Sequence, residues 1–388
     1  MIGVIQRRLQ PYLRQVRAYY PVVSITGPRQ AGKTTLARLE FADYRYVNFE
    51  DIRLQESFRD DPRGFLEVYD GEVIFDEAQR VPQLFNYLLT VVDEDRRPGR
   101  FVLSGSQNFL MNKQITQSLA GRVGHARLLP LDLGEVKQVM ELTDPELVMF
   151  RSMYPQAIRS DMPSEIFYSD YIASYLDRDI SPLIQDSNML DFRRFLTSCA
   201  AGVGQLLNYS TLARDIQVSV NTIKQWVHYL QQTYIAFTVE PYFSNVRKGL
   251  TKQPKLYFYD TGLAAYLLRL SKPEELRLSM YYGALFENLV IADRRKTRYH
   301  QGNLQPFYFY RDDKKLEVDY LDGSAEVRIL AEIKASKTPG AKHTANLGRA
   351  AQLVSGDPQL MLIHGGHDSY EQAGVTYRSW THTEPLDA

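Results

Sequence analysis

The chain has 388 residues, 44% apolar and 24% charged, and its 46 basic side chains are matched by 46 acidic ones. This mix predicts a globular protein of two or three domains. It excludes a disordered, fibrous or uniformly basic chain, though not a local basic groove. One cysteine, Cys199, excludes an internal disulfide framework and fits a reducing compartment. The first residues are too charged for a signal peptide, and no apolar run reaches the roughly 20 residues of a membrane span, so a cytoplasmic protein with no membrane partner is expected.

In chain order, the first pattern is the apolar run Val22-Val23-Ser24-Ile25. It leads into Gly27-Pro28-Arg29-Gln30-Ala31-Gly32-Lys33-Thr34 and a helical stretch from Thr35. G-x-x-x-x-G-K-T between a strand and a helix is a phosphate-binding loop. Its glycines let backbone N–H groups turn toward phosphates, and the helix N-terminus adds a positive dipole end. Residues 27–35 are therefore the expected cradle for ATP, with Lys33 on the β- and γ-phosphates and the Thr34 hydroxyl on Mg²⁺.

Short apolar strands, residues 46–49, 73–75, 101–103 and 125–131, then alternate with helical stretches. That alternation predicts an α/β fold whose parallel sheet is covered on both faces and binds ligands at its carboxyl edge. The strand at 73–75 runs into Asp76-Glu77. Asp76 is assigned to the Mg²⁺ shell and Glu77 to orienting the attacking water. The next strand runs into Ser104-Gly105-Ser106-Gln107-Asn108, which brings Ser106 or Gln107 toward the γ-phosphate, with an ordinary polar turn as the alternative.

These motifs, together with Val81-Pro82 after Asp-Glu-Ala-Gln, Ser118-Leu119-Ala120-Gly121-Arg122 and Leu129-Pro130-Leu131, resemble the prokaryotic AAA-type (AAA+) ATPases. More narrowly they resemble the subgroup with a C-terminal domain long described as of unknown function. The resemblance implies ATP hydrolysis with Mg²⁺. It also implies a homo-oligomeric ring, a hexamer being the expected count, in which one subunit completes its neighbour's site. Arg122 is the first candidate for the arginine acting in trans and Arg178 the second. No second-sensor arginine is recognisable on a lid helix.

Residues 161–200 read as helices joined around Pro163 and Pro182. A short helix capped by Ser210 and a second capped by Ser219 follow, with Leu212, Ala213, Ile216, Val218, Ile223, Val227 and Leu230 spaced as a helix-turn-helix core. Two β-rich stretches, 235–239 and 255–259, flank a loop carrying Arg247, Lys248, Lys252 and Lys255. The set describes a winged helix, with Asn221, Thr222, Lys224 and Gln225 as groove-facing candidates and the loop against phosphates. Winged helices also serve as scaffolds or protein docks.

Further on, Gly283 to Val290 forms an amphipathic helix bearing Glu287, and alternation in 317–320 and 329–334 puts Asp319, Glu332 and Lys334 on strand faces a hairpin would bring together. Two carboxylates and a lysine suit Mg²⁺ and a water aimed at a phosphodiester. With Glu287, this set resembles the restriction-endonuclease-like fold, whose motif is Asp followed by Glu-x-Lys. The run Lys255-Leu256-Tyr257-Phe258-Tyr259-Asp260-Thr261-Gly262-Leu263 also matches the family's C-terminal part. Arg294, Arg295, Lys296 and Arg298 form a basic run suited either to solvent or to a phosphate backbone.

The expected division is an AAA+ ATPase domain at 1–150, a helical connector or lid at 151–200, a winged helix at 201–270 and a restriction-endonuclease-like domain at 271–388. The expected function is an ATP-driven motor or remodeller of duplex DNA, branched or forked DNA suiting a ring motor. An ATP-gated Mg²⁺ nuclease and a signalling ATPase with protein-binding C-terminal modules are the alternatives.

Overall fold

The computed structural model describes residues 4–105, 111, 114–115, 117–242, 253–314, 316–323, 328–354 and 356–382. Ser106, Gln107, Arg247, Lys248 and Lys252 lie outside the described residues.

Five strands, β1 (Val22–Thr26), β2 (Arg45–Asn48), β3 (Val73–Asp76), β4 (Phe101–Ser104) and β5 (Val123–Arg127), form a sheet in the order β2-β3-β4-β1-β5. Every pairing in it is parallel. β1, β3 and β4 are buried along their whole length, which is why they read as continuous apolar runs rather than alternating ones. Phe75 stacks between Phe49 and Phe101 at ring separations of 5.8 and 5.9 Å, locking the strand that ends in Asp76. Truncating such a ring costs about 3–5 kcal/mol.

Residues 125–131 were expected to be one strand, but β5 is Val123–Arg127 and the apolar residues after it leave the sheet. Leu129 N donates to His300 Nε2, and Leu131 N to the Met153 carbonyl. Their apolarity reports burial against helices, a feature periodicity does not separate from strand pairing over so short a run.

The middle of the chain holds helices Ser164–Tyr175, Met189–Ala201, Tyr209–Ile216 and Val220–Gln232. An antiparallel pair follows, β6 (Ala236–Val239) and β7 (Lys255–Phe258). Ser219 caps the helix Val220–Gln232 by accepting from Thr222 N. The preceding helix is capped by Asn208 rather than Ser210, because it starts at Tyr209, one residue before the assigned cap.

The C-terminal sheet contains β8 (Tyr308–Arg311), β9 (Glu317–Asp322), β10 (Ile329–Lys334), β11 (Gln359–His364), β12 (Tyr370–Gln372) and β13 (Val375–Ser379), ordered β12-β13-β11-β10-β9-β8. It is mixed: β10, β11 and β13 run parallel, whereas β8, β9 and β12 pair antiparallel with their neighbours. The long helix Tyr282–His300 packs on β10 and also reaches the AAA sheet. The basic run on this helix is not wet surface. Arg294, Arg295 and Lys296 are buried, Lys296 Nζ donates to the Leu131 carbonyl at 2.6 Å, and Arg298 pairs with Asp322. Long basic stems fill the junction while their heads find internal acceptors.

Candidate nucleotide site and a second carboxylate cluster

β1 delivers the loop at residues 27–32 to the carboxyl edge of the sheet. Gly27 has φ +151, and a Cβ there would lie 1.9 Å from the Leu128 carbonyl oxygen, so only glycine lets the loop pass β5 this closely. Gly32, at φ +93, caps the helix Lys33–Glu40 and aims that helix's free N–H groups into the loop. Arg7 braces the loop from behind, donating to the carbonyls of Ala31 and Leu129 and pairing with Glu135 at 3.0 Å.

Lys33 is buried, and its Nζ donates to the Gly27 and Pro28 carbonyls at 2.9 and 2.7 Å. Burial pulls its pKa down to about 8, against the opposing charges of Glu77 and Asp76. Asp76 Oδ2 accepts from Thr34 Oγ1 and from the Tyr46 hydroxyl, each at 2.7 Å, and Oδ1 accepts from Ser104 Oγ and from the Glu77 amide. Burial and the neighbouring Asp76 raise the Tyr46 pKa, so Tyr46 stays a donor. Glu77 sits in the left-handed region at φ +52, a sharp turn at the strand end, and Gln79 Nε2 donates to its carboxylate.

The cavity above these groups measures about 700 Å³, and Arg29, Lys33, Thr34, Glu77, Arg159 and Arg178 line it. Arg29 pairs with Asp179 at 2.9 Å, tying the loop to the turn Leu176–Ile180. Arg159, on the short helix Pro155–Ser160, is the functional candidate that sequence reasoning missed. No motif marks it, and only the fold carries it over the loop. Gln30, Thr35 and Gly32 also face this space, whereas Pro28 and Ala31 form its floor through their backbone. A second cavity of about 350 Å³ shares Gly32, Thr35 and Arg159 and is lined by Val4, Ile5, Leu36 and Leu39. Arg122 lies elsewhere: its carbonyl accepts from Val22 N at the start of β1, the opposite edge of the sheet, and its guanidinium pairs with Asp93 at 3.0 Å.

Oxygen donors from Thr34 and Asp76 beside a lysine fit Mg²⁺, a hard cation that takes few protein ligands. The C-terminal cluster differs. The structure brings Glu287, Asp319, Glu332 and Lys334 together, with Lys334 Nζ at 3.2 Å from Asp319 and 3.1 Å from Glu332. Lys255 enters from β7, its Nζ at 3.0 Å from Glu287, 2.7 Å from Glu317 and 3.8 Å from Asp319. Although burial opposes its charge, Glu287, Asp319 and Glu317 hold Lys255 protonated. Burial and Asp319 push Glu287 up to about 7 and Glu332 up to about 9, whereas, against its burial, Lys334 and other donors lower Asp319. Two ammonium groups offset the charge of these carboxylates. Lys255 Nζ thus stands between Glu287 and Asp319, and Lys334 Nζ between Asp319 and Glu332, where ammonium groups rather than open space separate the carboxylates. Among the described residues, the one trio with ligand atoms inside 4.8 Å is Asp132, Glu135 and His300, already tied up with Arg7, Arg8 and Leu129 N.

On the helix Val220–Gln232, Asn221, Lys224 and Gln225 are exposed, as is His228 on the same face. Thr222 is half-buried and hydrogen-bonded to Ser219, and Gln225 donates to the Tyr229 hydroxyl.

The parallel sheet, phosphate loop and Asp76 cluster define a P-loop ATPase of the AAA type. A family model described as "AAA domain" matches residues 19–137. Two described as domains of unknown function, DUF8612 and DUF4143, match 143–274 and 282–381. An uncharacterized protein of Mycobacterium tuberculosis is 31% identical over 362 residues, 92% of this chain and 79% of that protein. One of Methanocaldococcus jannaschii is 24% identical over 335 residues, 76% of this chain and 71% of that protein. The Walker-type ATPase of Pyrococcus abyssi matches in structure with a TM-score of 0.47 at 15% identity, covering 68% of this chain and 96% of that one. The chain belongs to the family of the mycobacterial protein, AAA-domain ATPases ending in the DUF4143 domain.

Proposed function

We propose that this chain hydrolyses ATP to move or remodel duplex DNA, with branched or forked duplex its preferred substrate. The observation that supports hydrolysis is the convergence of Lys33, Thr34 and Glu77 on one cavity at the carboxyl edge of the sheet, with Asp76 hydrogen-bonded to Thr34 beside it. The phosphates lie along the backbone amides of residues 27–34, and Lys33 turns from the loop carbonyls to the β- and γ-phosphates. Thr34 and Asp76 would hold Mg²⁺, which would supply charge neutralisation at the phosphates. Glu77 accepts a hydrogen bond from the attacking water, and Gln79 holds its carboxylate in place. Arg29, Arg159 and Arg178 face the phosphates. The base enters the neighbouring apolar cavity between Ile5 and Leu36.

Arg122 sits at the opposite edge of the sheet from the phosphate loop, which suits use on a neighbouring subunit in a homo-oligomeric ring. Two contacts support coupling to the rest of the chain. Thr26 Oγ1 lies 3.3 Å from the Tyr234 hydroxyl, just after the helix bearing Lys224, and Arg29 pairs with Asp179. The helix pair and β6–β7 are read as a winged helix whose exposed face, Asn221, Lys224, Gln225 and His228, lies in a major groove.

The test is phosphate release by wild type and Glu77→Gln with single-stranded, duplex, forked and four-way DNA at low salt. Stimulation several-fold above the DNA-free rate, greatest on branched forms, is expected. Turnover indifferent to every polynucleotide would replace this reading with the signalling one. The nuclease reading is disfavoured by the position of Lys255.

A further inference from the structure

A polar pocket of about 230 Å³ lies where the end of β5, the strand β6 and the long helix Tyr282–His300 meet, and it shares no lining residue with the phosphate loop's cavity. Arg127 and Arg295 both line it, with Gln231 and the hydroxyl-bearing rings of Tyr234, Tyr259 and Tyr299. Their surroundings set these two arginines apart. Arg295 is buried and Arg127 half-buried; by contrast, buried Arg7 and Arg100 have the carboxylates of Glu135 and Asp70, and half-buried Arg298 has that of Asp322. Among the described residues, neither Arg127 nor Arg295 forms an ion pair.

Arg295 is 8% exposed, its guanidinium stacked on Phe237, Tyr299 and Phe307 at 5.0, 5.5 and 4.5 Å from the ring centroids. Its N–H groups reach the Thr238 carbonyl at 3.3 Å and the Tyr299 hydroxyl at 3.5 Å, but its Nε is buried with no partner. Arg127 lies over the same Tyr299 ring at 5.1 Å. Guanidinium groups do not shed their protons in proteins, so two neighbouring cations cannot be relieved by titration. Aromatic faces offset only part of their desolvation. Such a pair calls for an anion.

We propose that this pocket binds a phosphate-type oxyanion, held between Arg127 and Arg295 with the tyrosine hydroxyls as further donors. Paired guanidinium forks match tetrahedral oxyanions, and the volume is below the roughly 300–1,000 Å³ typical of pockets for whole small molecules. The occupant is a phosphoryl group, either free phosphate or a phosphate protruding from a nucleic-acid backbone. The site does not depend on DNA being the motor's substrate.

The test is calorimetric titration of the full chain carrying Lys33→Ala, which removes the phosphate loop's lysine, with inorganic phosphate at constant ionic strength. One phosphate per chain is expected, with acetate failing to bind. Adding Arg127→Gln should weaken phosphate at least tenfold, and Arg127→Lys less, because it keeps the charge without the fork. Arg127→Gln alone should leave nucleotide affinity unchanged, which shows that the variant folds. A short duplex that displaces phosphate identifies the backbone as the source, and one that does not identifies the free ion. The proposal fails if the Lys33→Ala chain takes up no phosphate, if acetate binds equally well, or if Arg127→Gln and Arg127→Lys both bind phosphate as tightly as their parent.

Discussion

At the end of β3, Asp76 collects hydroxyl donors from Thr34, Tyr46 and Ser104, whereas at the β9–β10 edge Asp319 collects ammonium groups from Lys255 and Lys334. Both regions place acidic side chains on sheet strands with lysines close by, and both match motifs associated with Mg²⁺ and phosphate esters. They part on the lysine's direction. Lys33 is held by main-chain carbonyls at the rim of a large cavity, so it can turn to an incoming anion without stranding a carboxylate. Lys255 is locked among three carboxylates and cannot leave without exposing their mutual repulsion. Identical residue types make a reactive centre in one place and an internally neutralised one in the other.

The largest effects should break the first region. Lys33→Ala should weaken ATP binding roughly 10–100-fold, the loss of a charge-assisted contact. Glu77→Gln should bind ATP normally but turn over at least about 100-fold more slowly. Fluorescent-nucleotide binding and phosphate release separate the two; normal turnover by Glu77→Gln would move the water-orienting role elsewhere.

The second region should answer differently. Removing one partner of a buried charge cluster costs about 3–5 kcal/mol, so Lys255→Met should lower the melting midpoint markedly in chelator. Mn²⁺ should restore part of that loss, while a parent carrying Asp76→Asn melts at the same temperature with or without Mn²⁺. Metal-dependent melting of that parent, abolished by Asp319→Asn, would show that the cluster takes metal after all.

A pH series sharpens the contrast. Lys33 has a pKa lowered to about 8, so its charge is present below pH 8 and lost above it. ATP affinity should therefore fall between pH 7 and 9, up to about tenfold. Lys255 and Lys334 are raised instead, and their ion pairs should persist across the same range. The smallest effect belongs to the exposed helix face: Lys224→Ala should reduce the slope of log affinity for DNA against log salt by about 1, without changing ATP binding.

Much of the sheet was legible because buried parallel strands are apolar runs ending in functional residues, as β1 and β3 do. The Asp319–Glu332–Lys334 grouping was legible from strand alternation. Lys255 was read as part of a basic loop and of a family run, because nothing in Lys-Leu-Tyr-Phe says that β7 slides its first residue between Glu287 and Asp319. Arg159 and Arg127 were invisible for the same reason: each comes from a separate element, and only tertiary packing sets its address. The run from Arg294 to Arg298 misled because consecutive charges read as surface, while a long helix at a junction turns them into acceptor-seeking struts.

One consequence of the Arg7 brace concerns synthesis. The seventh residue clasps the loop's Ala31 carbonyl and the Leu129 carbonyl, and the Leu129 and Leu133 amides in turn depend on His300 and Asp293. On the ribosome, a nascent chain displays its full nucleotide signature early, but the scaffolding behind it stays unfinished until His300 has emerged. Half-made copies would thus carry the fuel port without its rear wall, and a shortened fragment ending after the first sheet should be a poor substitute for the intact machine.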